Sequence, residues 1–270
     1  TIMKSNKGRV SVIDICKGNI EREKDKANES FAMFSSQQKG NFNMRNHPTN
    51  PLDFLSKMDV TSIWRFILTH PDMDHLDGFN NLLNTFSVSN FWDNGLIKSK
   101  PNFEGSPYKE IDWDRYEKVK SGGDNVNVIK PLAGDKNKYF NDDDESKGGD
   151  FLYVYAPNKD LVDASNQNED FNDGSYVIVY RSQGGRILVP GDAFDSTWEY
   201  VISNYKKELE GCEIMLAPHH GRDSNRNWEF LDTLQPKFSV IGCADSKDLA
   251  YNQWNKRGLE KITQNRSEER

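Results

Sequence analysis

The chain has little from which to build a membrane span, a disulfide framework or a general polyanion-binding face. Its 270 residues are 35% hydrophobic with a mean hydropathy of −0.83. No apolar run approaches the ~18 residues that a spanning helix needs, so no membrane association is expected. Three cysteines, Cys16, Cys212 and Cys243, occur without any Cys-x-x-Cys pairing and sit in or beside apolar, strand-like surroundings. Buried, reduced thiols in a cytoplasmic protein are the expectation. The amino end shows no charged n-region, apolar h-region and cleavage site. A net charge of −7 argues against a broad nucleic-acid-binding surface. Such a substrate can still be held by bound cations and a local basic rim. No internal repeat is visible.

Histidine is also scarce, and its placement is informative. Of five histidines, four form two compact groups, His70 with His75 and His219 with His220, while His47 stands alone. The first group lies in Thr69-His70-Pro71-Asp72-Met73-Asp74-His75-Leu76-Asp77-Gly78. An apolar run rich in β-formers (Ile63, Trp64, Phe66, Ile67, Leu68) precedes it. Leu76, Phe79, Leu82, Leu83 and Phe86 follow at helical spacing. The pattern predicts strand, tight turn, helix, with two imidazoles and two carboxylates converging where the strand ends. Pro71, Asp72 and Asp74 could serve merely as turn formers and helix caps. Repetition elsewhere weighs against that reading. Ile214-Met215-Leu216-Ala217-Pro218 delivers His219 and His220, and Arg186-Ile187-Leu188-Val189-Pro190-Gly191 delivers Asp192. Three strand ends thus present His and Asp, where a rigid sheet can aim them at one volume.

His70-x-Asp72-x-Asp74-His75, with Gly191-Asp192 and His219-His220-Gly221, resembles the metallo-β-lactamase superfamily. Within it the chain is most similar to the hydrolase domain of ComEC/Rec2-type competence proteins and their stand-alone relatives. Those carry Ser-His-Pro-Asp-x-Asp-His where most of the superfamily has His-x-His-x-Asp-His. Val12-Ile13-Asp14-Ile15-Cys16-Lys17-Gly18-Asn19 is similar to the family's Asp-Val-Gly-Gln-Gly-Asp strand and turn. Asn172-x-x-Ser175, followed by Tyr176-Val177-Ile178-Val179-Tyr180, is similar to its Asn-x-x-Ser and strand. The motifs span Asp14 to Gly221 in family order.

The resemblance implies a layered αββα sandwich, an α/β fold of two mixed sheets packed face to face with helices outside. A single domain over 1–270 is expected, with insertions at about 94–125 and 136–150 and a charged tail at about 256–270. It further implies one or two divalent ions, Mn²⁺ or Zn²⁺, with Mg²⁺ also open. By family position His70 and Asp72 serve a first ion, Asp74 and His75 a second, and Asp192 bridges. His219 is favoured as the remaining ligand, with His220 behind it or protonating the leaving oxygen; the reverse assignment stays open. Asp74 and His220 are thus the candidate catalytic groups. Asp14 supports the metal-binding loop, and Asn172 either orients a neighbour or ligates. Ser175, Arg222 and Ser224 are candidates for substrate contact. Where the superfamily usually has imidazoles, this chain has Asp72 and Asn172, harder donors that favour Mn²⁺ or Mg²⁺ over Zn²⁺. The first family motif has also lost a glycine and its last carboxylate, and the histidine that many relatives carry after the last strand is missing.

The leading functional expectation is a metal-dependent phosphodiesterase, most plausibly a DNA nuclease, with nucleic acid known as substrate only through the resemblance. The alternatives are hydrolysis of a small ester, thioester or lactam at the same site, or a catalytically weak fold serving as a platform for a protein partner in a multi-component system. The sequence does not set the oligomeric state.

Along the rest of the chain, 20–50 is expected to form a long or distorted hairpin and Pro51 to Met58 a short helix. Residues 94–121 are expected to cover the site, with Tyr108, Trp113 and Tyr116 packing under a loop rather than stacking on a base. Lys98, Lys100, Arg222 and Arg226 are rim candidates, the lysines more simply read as solvated surface charge. Asn141 to Glu145 reads as a solvated acidic hairpin. Ser196-x-x-Glu199 offers a capping box, Trp228 to Leu234 an amphipathic helix, and Phe238 to Cys243 a late strand. The chain after Asn255 is charged and expected to fray.

Overall fold

A computed structural model describes residues 1–22, 40–41, 47–141, 149–224, 226–242, 244, 246–264 and 266–267. In chain order its first strands are β1 (Ile2–Lys4), β2 (Val10–Ile13), β3 (Gly40–Asn41), β4 (Ser62–Ile67), β5 (Ser87–Trp92) and β6 (Asn127–Ile129). Then come β7 (Leu152–Ala156), β8 (Val177–Ser182), β9 (Gly185–Val189), β10 (Ile214–Leu216), β11 (Ser239–Ile241), β12 (Lys261–Thr263) and β13 (Arg266–Ser267). The first sheet runs β1-β2-β4-β5-β6, with β1 antiparallel and the rest parallel. The second runs β3-β13-β12-β11-β10-β9-β8-β7, parallel from β9 to β12 and antiparallel at both ends.

Alternation along the strands explains the layering. In β2, Val10 and Val12 face outward onto helices while Ile13 faces the other sheet. In β8, Val177 and Val179 face helices and Ile178 faces inward. The inner layer packs Ile13, Ile67 and Trp92 of the first sheet on Leu152, Val154, Ile178 and Val189 of the second. Outside the first sheet lie α1 (Pro51–Lys57), α2 (Phe79–Thr85) and α3 (Glu110–Lys120), which bury Leu52, Phe79, Trp113 and Tyr116. After α4 (Lys159–Asn168) come α5 (Asp195–Leu209), α6 (Phe230–Leu234) and α7 (Tyr251–Asn255), which bury Trp198, Leu231 and Trp254 on the second sheet. Burying each such side chain contributes roughly 1.5–3 kcal/mol, so three apolar layers hold the four-layer sandwich. This is the layered αββα sandwich, two mixed sheets packed face to face with helices outside, that the resemblance implied.

Several local expectations are met by identifiable contacts. Asn50 caps α1, its side chain accepting from Leu52 N at 2.8 Å with Pro51 at the first turn. Trp113 and Tyr116 are core residues under α3, which accords with packing rather than base stacking. Other expectations need correction. The Ser196–Glu199 capping box does not form; the carboxylate of Asp173, from a different turn, accepts from Thr197 N at 3.0 Å and Ser196 N at 3.3 Å. A long-range acid has displaced the local one. The region after Asn255 does not simply fray, since β12 pairs in parallel with β11 and extends the second sheet. Cys212 is buried but Cys16 is exposed, because it lies on the turn beyond β2. The acidic hairpin, most of the 20–50 hairpin and Cys243 lie outside the described residues. Among the described residues no helix is long and apolar enough to cross a membrane.

Candidate metal centre

The strand ends meet at one edge. The chain leaves β2 at Asp14, β4 at Thr69-His70, β9 at Gly191-Asp192 and β10 at His219-His220. The turn Asn172–Gly174 enters β8 at the same edge. Backbone conformation then aims the side chains. Asp14 (φ 54°), His219 (φ 51°) and His220 (φ 58°) are left-handed, which non-glycine residues adopt at a cost of roughly 1–3 kcal/mol each. Gly191 is left-handed too, and a Cβ there would stand 2.8 Å from Thr69 Cβ, so only glycine lets β9's turn press against the histidine turn.

Asp14 organises the loop after β4. Its carboxylate accepts from Thr69 N and Thr69 Oγ1, both at 2.8 Å, and from His75 Nδ1 at 2.9 Å. With the Nδ1 proton directed at Asp14, His75 Nε2 is turned inward. Through these contacts Asp14 ties the turn after β2 to the loop after β4. Thr69 stands where the family motif has Ser, so its hydroxyl was the available signal for this contact.

Two groupings of donor atoms, each within 4.8 Å, are built this way: His70 with His75 and Asp192, and Asp74 with His75 and His220. Asp192, 4% exposed, is the hub, lying 3.4 Å from His75 Nε2, 3.7 Å from His220 Nε2, 3.8 Å from His219 Nε2 and 3.9 Å from His70 Nε2. Asp74 Oδ2 is 3.2 Å from His220 Nε2 and 3.9 Å from His75 Nε2. In a tetrahedral site two donors, each about 2.1 Å from the ion, stand roughly 3.4 Å apart. The contacts of 3.4 Å in the first grouping (His75 with Asp192) and 3.2 Å in the second (Asp74 with His220) lie near that value, and His75 is common to both. The decisive test of fit is that His70 Nε2 and His75 Nε2 are buried without a hydrogen-bond partner. Orphaned imidazole nitrogens facing a buried carboxylate are costly unless a cation takes the lone pairs. The residues present therefore fit a divalent ion.

Electrostatics agree. Burial raises the Asp192 and Asp74 carboxyls, but neighbouring histidines outweigh it, so both are held well below the usual carboxylate range. His70 is lowered by burial and by the charge of His75. His219 is lowered to about 4, mainly by burial, and is a neutral imidazole at pH 7. Burial opposes charge on His75, yet Asp14 and Asp192 raise it well above its ordinary 6.5. In the metal-free chain that interaction stabilises the fold fully below pH 6.5 and is lost as pH rises through the raised value. A cation at Nε2 must displace that proton. Calorimetry at pH 7 in buffers of different ionisation enthalpy should show proton release on binding and affinity that rises with pH; buffer-independent heats would contradict it.

The structure distributes the remaining candidates unevenly. Between the two assignments left open for the late pair, the geometry favours His220, which touches both Asp74 and Asp192. His219 Nδ1 bonds Ser224 Oγ at 3.0 Å, and Ser224 in turn faces Arg226 Nε at 3.4 Å. Asp72 joins neither grouping; its Oδ2 is 3.7 Å from His70 Nε2 and its Oδ1 receives Lys98 Nζ at 2.5 Å. Asn172 lies half-buried in the turn before β8, where its carbonyl accepts from Ser175 N at 3.0 Å. Ser175 is a correction: it is fully buried beside Gly191, so its hydroxyl is out of a substrate's reach. Arg222 is exposed at the rim. Lys100 is the surface lysine expected, paired with Glu110 and Asp114. Sequence reasoning missed Asn94, whose Nδ2 bonds Thr69 O at 2.6 Å and Gly174 O at 3.0 Å and so clamps two site loops. No local pattern marks it. Tyr108 stands close enough to Asp74 for that carboxylate to help burial push its phenol up to about 12.

No family model and no curated protein matches this chain. Solved structures do. A mutant form of CmlA β-hydroxylase is 12% identical, with a TM-score of 0.42, and the match covers 76% of this chain and 44% of that one. Igni18, a metallo hydrolase from the hyperthermophilic archaeon Ignicoccus hospitalis, is 11% identical, with a TM-score of 0.39, covering 75% of this chain and 76% of that one. The chain thus spans less than half of the first of these. Its functional reading rests on its own site.

Proposed function

We propose that the chain is a metal-dependent hydrolase of phosphodiesters, with DNA as the leading substrate and the ComEC/Rec2-type hydrolase domains as its functional relatives. One observation carries the metal-dependent part: two buried imidazole Nε2 atoms without hydrogen bonds face a buried carboxylate that touches four histidines. His70, His75 and Asp192, or Asp74, His75 and His220, would hold the ion, and because both groupings use His75 they form one shared centre. A divalent ion there supplies Lewis acidity toward a substrate oxygen and a lowered pKa for water.

The chain's own groups do the rest. Asp14 holds the Nδ1 proton of His75 and so fixes the ring that presents Nε2. His219, neutral at pH 7 and oriented by Ser224, is placed to accept or relay a proton at Nε2. Arg222 and the buried Arg226 put positive charge beside the late histidine turn. Arg226 stacks on Phe194 at 4.2 Å and donates to Ala193 O at 2.9 Å, which steadies that turn. The choice of phosphodiester over carboxylic ester is supported by these arginines and by the motif order, and the choice of DNA by the resemblance alone.

The test is metal analysis of the purified chain, followed by incubation of plasmid and single-stranded DNA, and of a chromogenic carboxylic ester and a lactam, with Mn²⁺, Mg²⁺ or Zn²⁺. Metal-dependent DNA cleavage that chelator stops is expected. Turnover of the ester or lactam alone would replace the phosphodiester reading, and absence of both bound metal and turnover would end the enzyme reading.

A further inference from the structure

The second position that the resemblance implies for a cation, between His70 and Asp72, is poorly furnished here. Asp72 and His70 approach to 3.7 Å, but no third His, Cys, Asp or Glu among the described residues joins both within 4.8 Å. Lys98 comes instead, 26 residues further along the chain. Its ammonium bonds Asp72 Oδ1 at 2.5 Å and lies 5.2 Å from the centre of the Phe171 ring. The Lys98 side chain is only 25% exposed, so it is held there rather than waving in solvent. The loop that carries it is anchored just ahead of it: Ile97 N donates to Asn166 Oδ1 at 2.7 Å and Asn94 clamps Thr69 and Gly174.

We propose that Lys98 is a built-in cation that keeps Asp72 out of the shared centre, so that the chain takes one divalent ion where its relatives' pattern provides for two. This rests on the metal-dependent reading above. Two physical effects act together. The ammonium satisfies the charge of Asp72, leaving it a weakened donor, and it places a fixed positive charge where a second divalent ion would otherwise sit. The two groupings that share His75 keep their donors, because Lys98 pairs with Asp72, which belongs to neither of them. Its bond to Asp72 occupies one N–H of the ammonium, leaving others directed toward an anionic substrate.

The test is ion stoichiometry by equilibrium dialysis with elemental analysis, using Mn²⁺ and Zn²⁺ in turn. The samples are the native chain, Lys98→Met, and Lys98→Met with Asp72→Ala; methionine keeps an unbranched side chain of similar length without the charge. One tight ion per native chain, two per Lys98→Met chain and one again in the double variant are expected. A second variant, Lys98→Arg, keeps the charge and should stay at one ion, which separates loss of charge from loss of packing. Two ions in the native chain, or one in Lys98→Met that is folded by circular dichroism, overturns the role of Lys98 while leaving the metal reading intact. No ion in any of these chains overturns the metal reading itself, and this inference with it.

Discussion

Replacing Asp74 and His220 together by alanine is expected to weaken divalent-ion binding at least ~10³-fold and to bring metal-dependent turnover down to background. The pair supplies two of the three donors in the grouping of Asp74, His75 and His220. Protein sites for Zn²⁺ bind with roughly 10–16 kcal/mol in total, so removing two donors of one grouping forfeits several kcal/mol. This pair is preferable to one that includes His75. His75 is buried and bonded to Asp14, and truncating it would strand a buried carboxylate as well as remove a ligand. Asp74 and His220 are each about a third exposed and partner one another, so the fold should tolerate their loss. Titration calorimetry and turnover on the same preparation check it. Unchanged affinity would mean that the ion sits elsewhere, and unchanged turnover without metal would assign the activity to a contaminant.

The parts of this site that are legible in the sequence are those encoded by neighbours in the chain. Ile63 to Leu68 alternates imperfectly but is apolar enough to be a strand buried on both faces, and the acid and histidine spacing beyond it is local. Asp192 could be found because it follows the apolar run Ile187-Leu188-Val189-Pro190 and a glycine. The choice between His219 and His220 was not legible. It turns on two successive left-handed backbones, φ 51° and φ 58°, which residue type does not announce. Nor was the Lys98–Asp72 pair, since a lone lysine in a polar loop reads as solvated until the fold closes that loop over the site. The same limit explains Asp173 at the start of α5 and β12 at the end of the chain. Each is a long-range contact that overrides a reasonable local reading.

Substituting Gly78 by alanine is expected to cost roughly 3 kcal/mol or more and to weaken metal binding, although Gly78 touches no candidate ligand. Its φ of 107° lies where side chains are strained, and its Cβ would stand 2.3 Å from Gly18 Cα and 2.6 Å from Gly18 C. Both are backbone atoms, so no rotamer change relieves the overlap; one turn must move. Neither can move alone. Gly18 N donates to Asp77 O, and the Asp77 carboxylate accepts from Lys17 N and Asn19 Nδ2, all at 2.9 Å. Asp112 bonds Asn19 Nδ2 at 2.5 Å, Asn80 N at 2.8 Å and Gly78 N at 3.2 Å. The turn after β2 carries Asp14, and the turn before α2 carries His75. Forcing the turns apart therefore strains the 2.9 Å bond that orients His75. Gly211 provides the control, being left-handed at φ 66° with nothing within 4 Å of its would-be Cβ. Gly211→Ala should cost only the backbone strain of about 1–2 kcal/mol and leave metal affinity unchanged. Thermal melts and calorimetry on both variants decide it: equal costs, with metal affinity intact in Gly78→Ala, would show that the two turns are not locked together as the geometry requires.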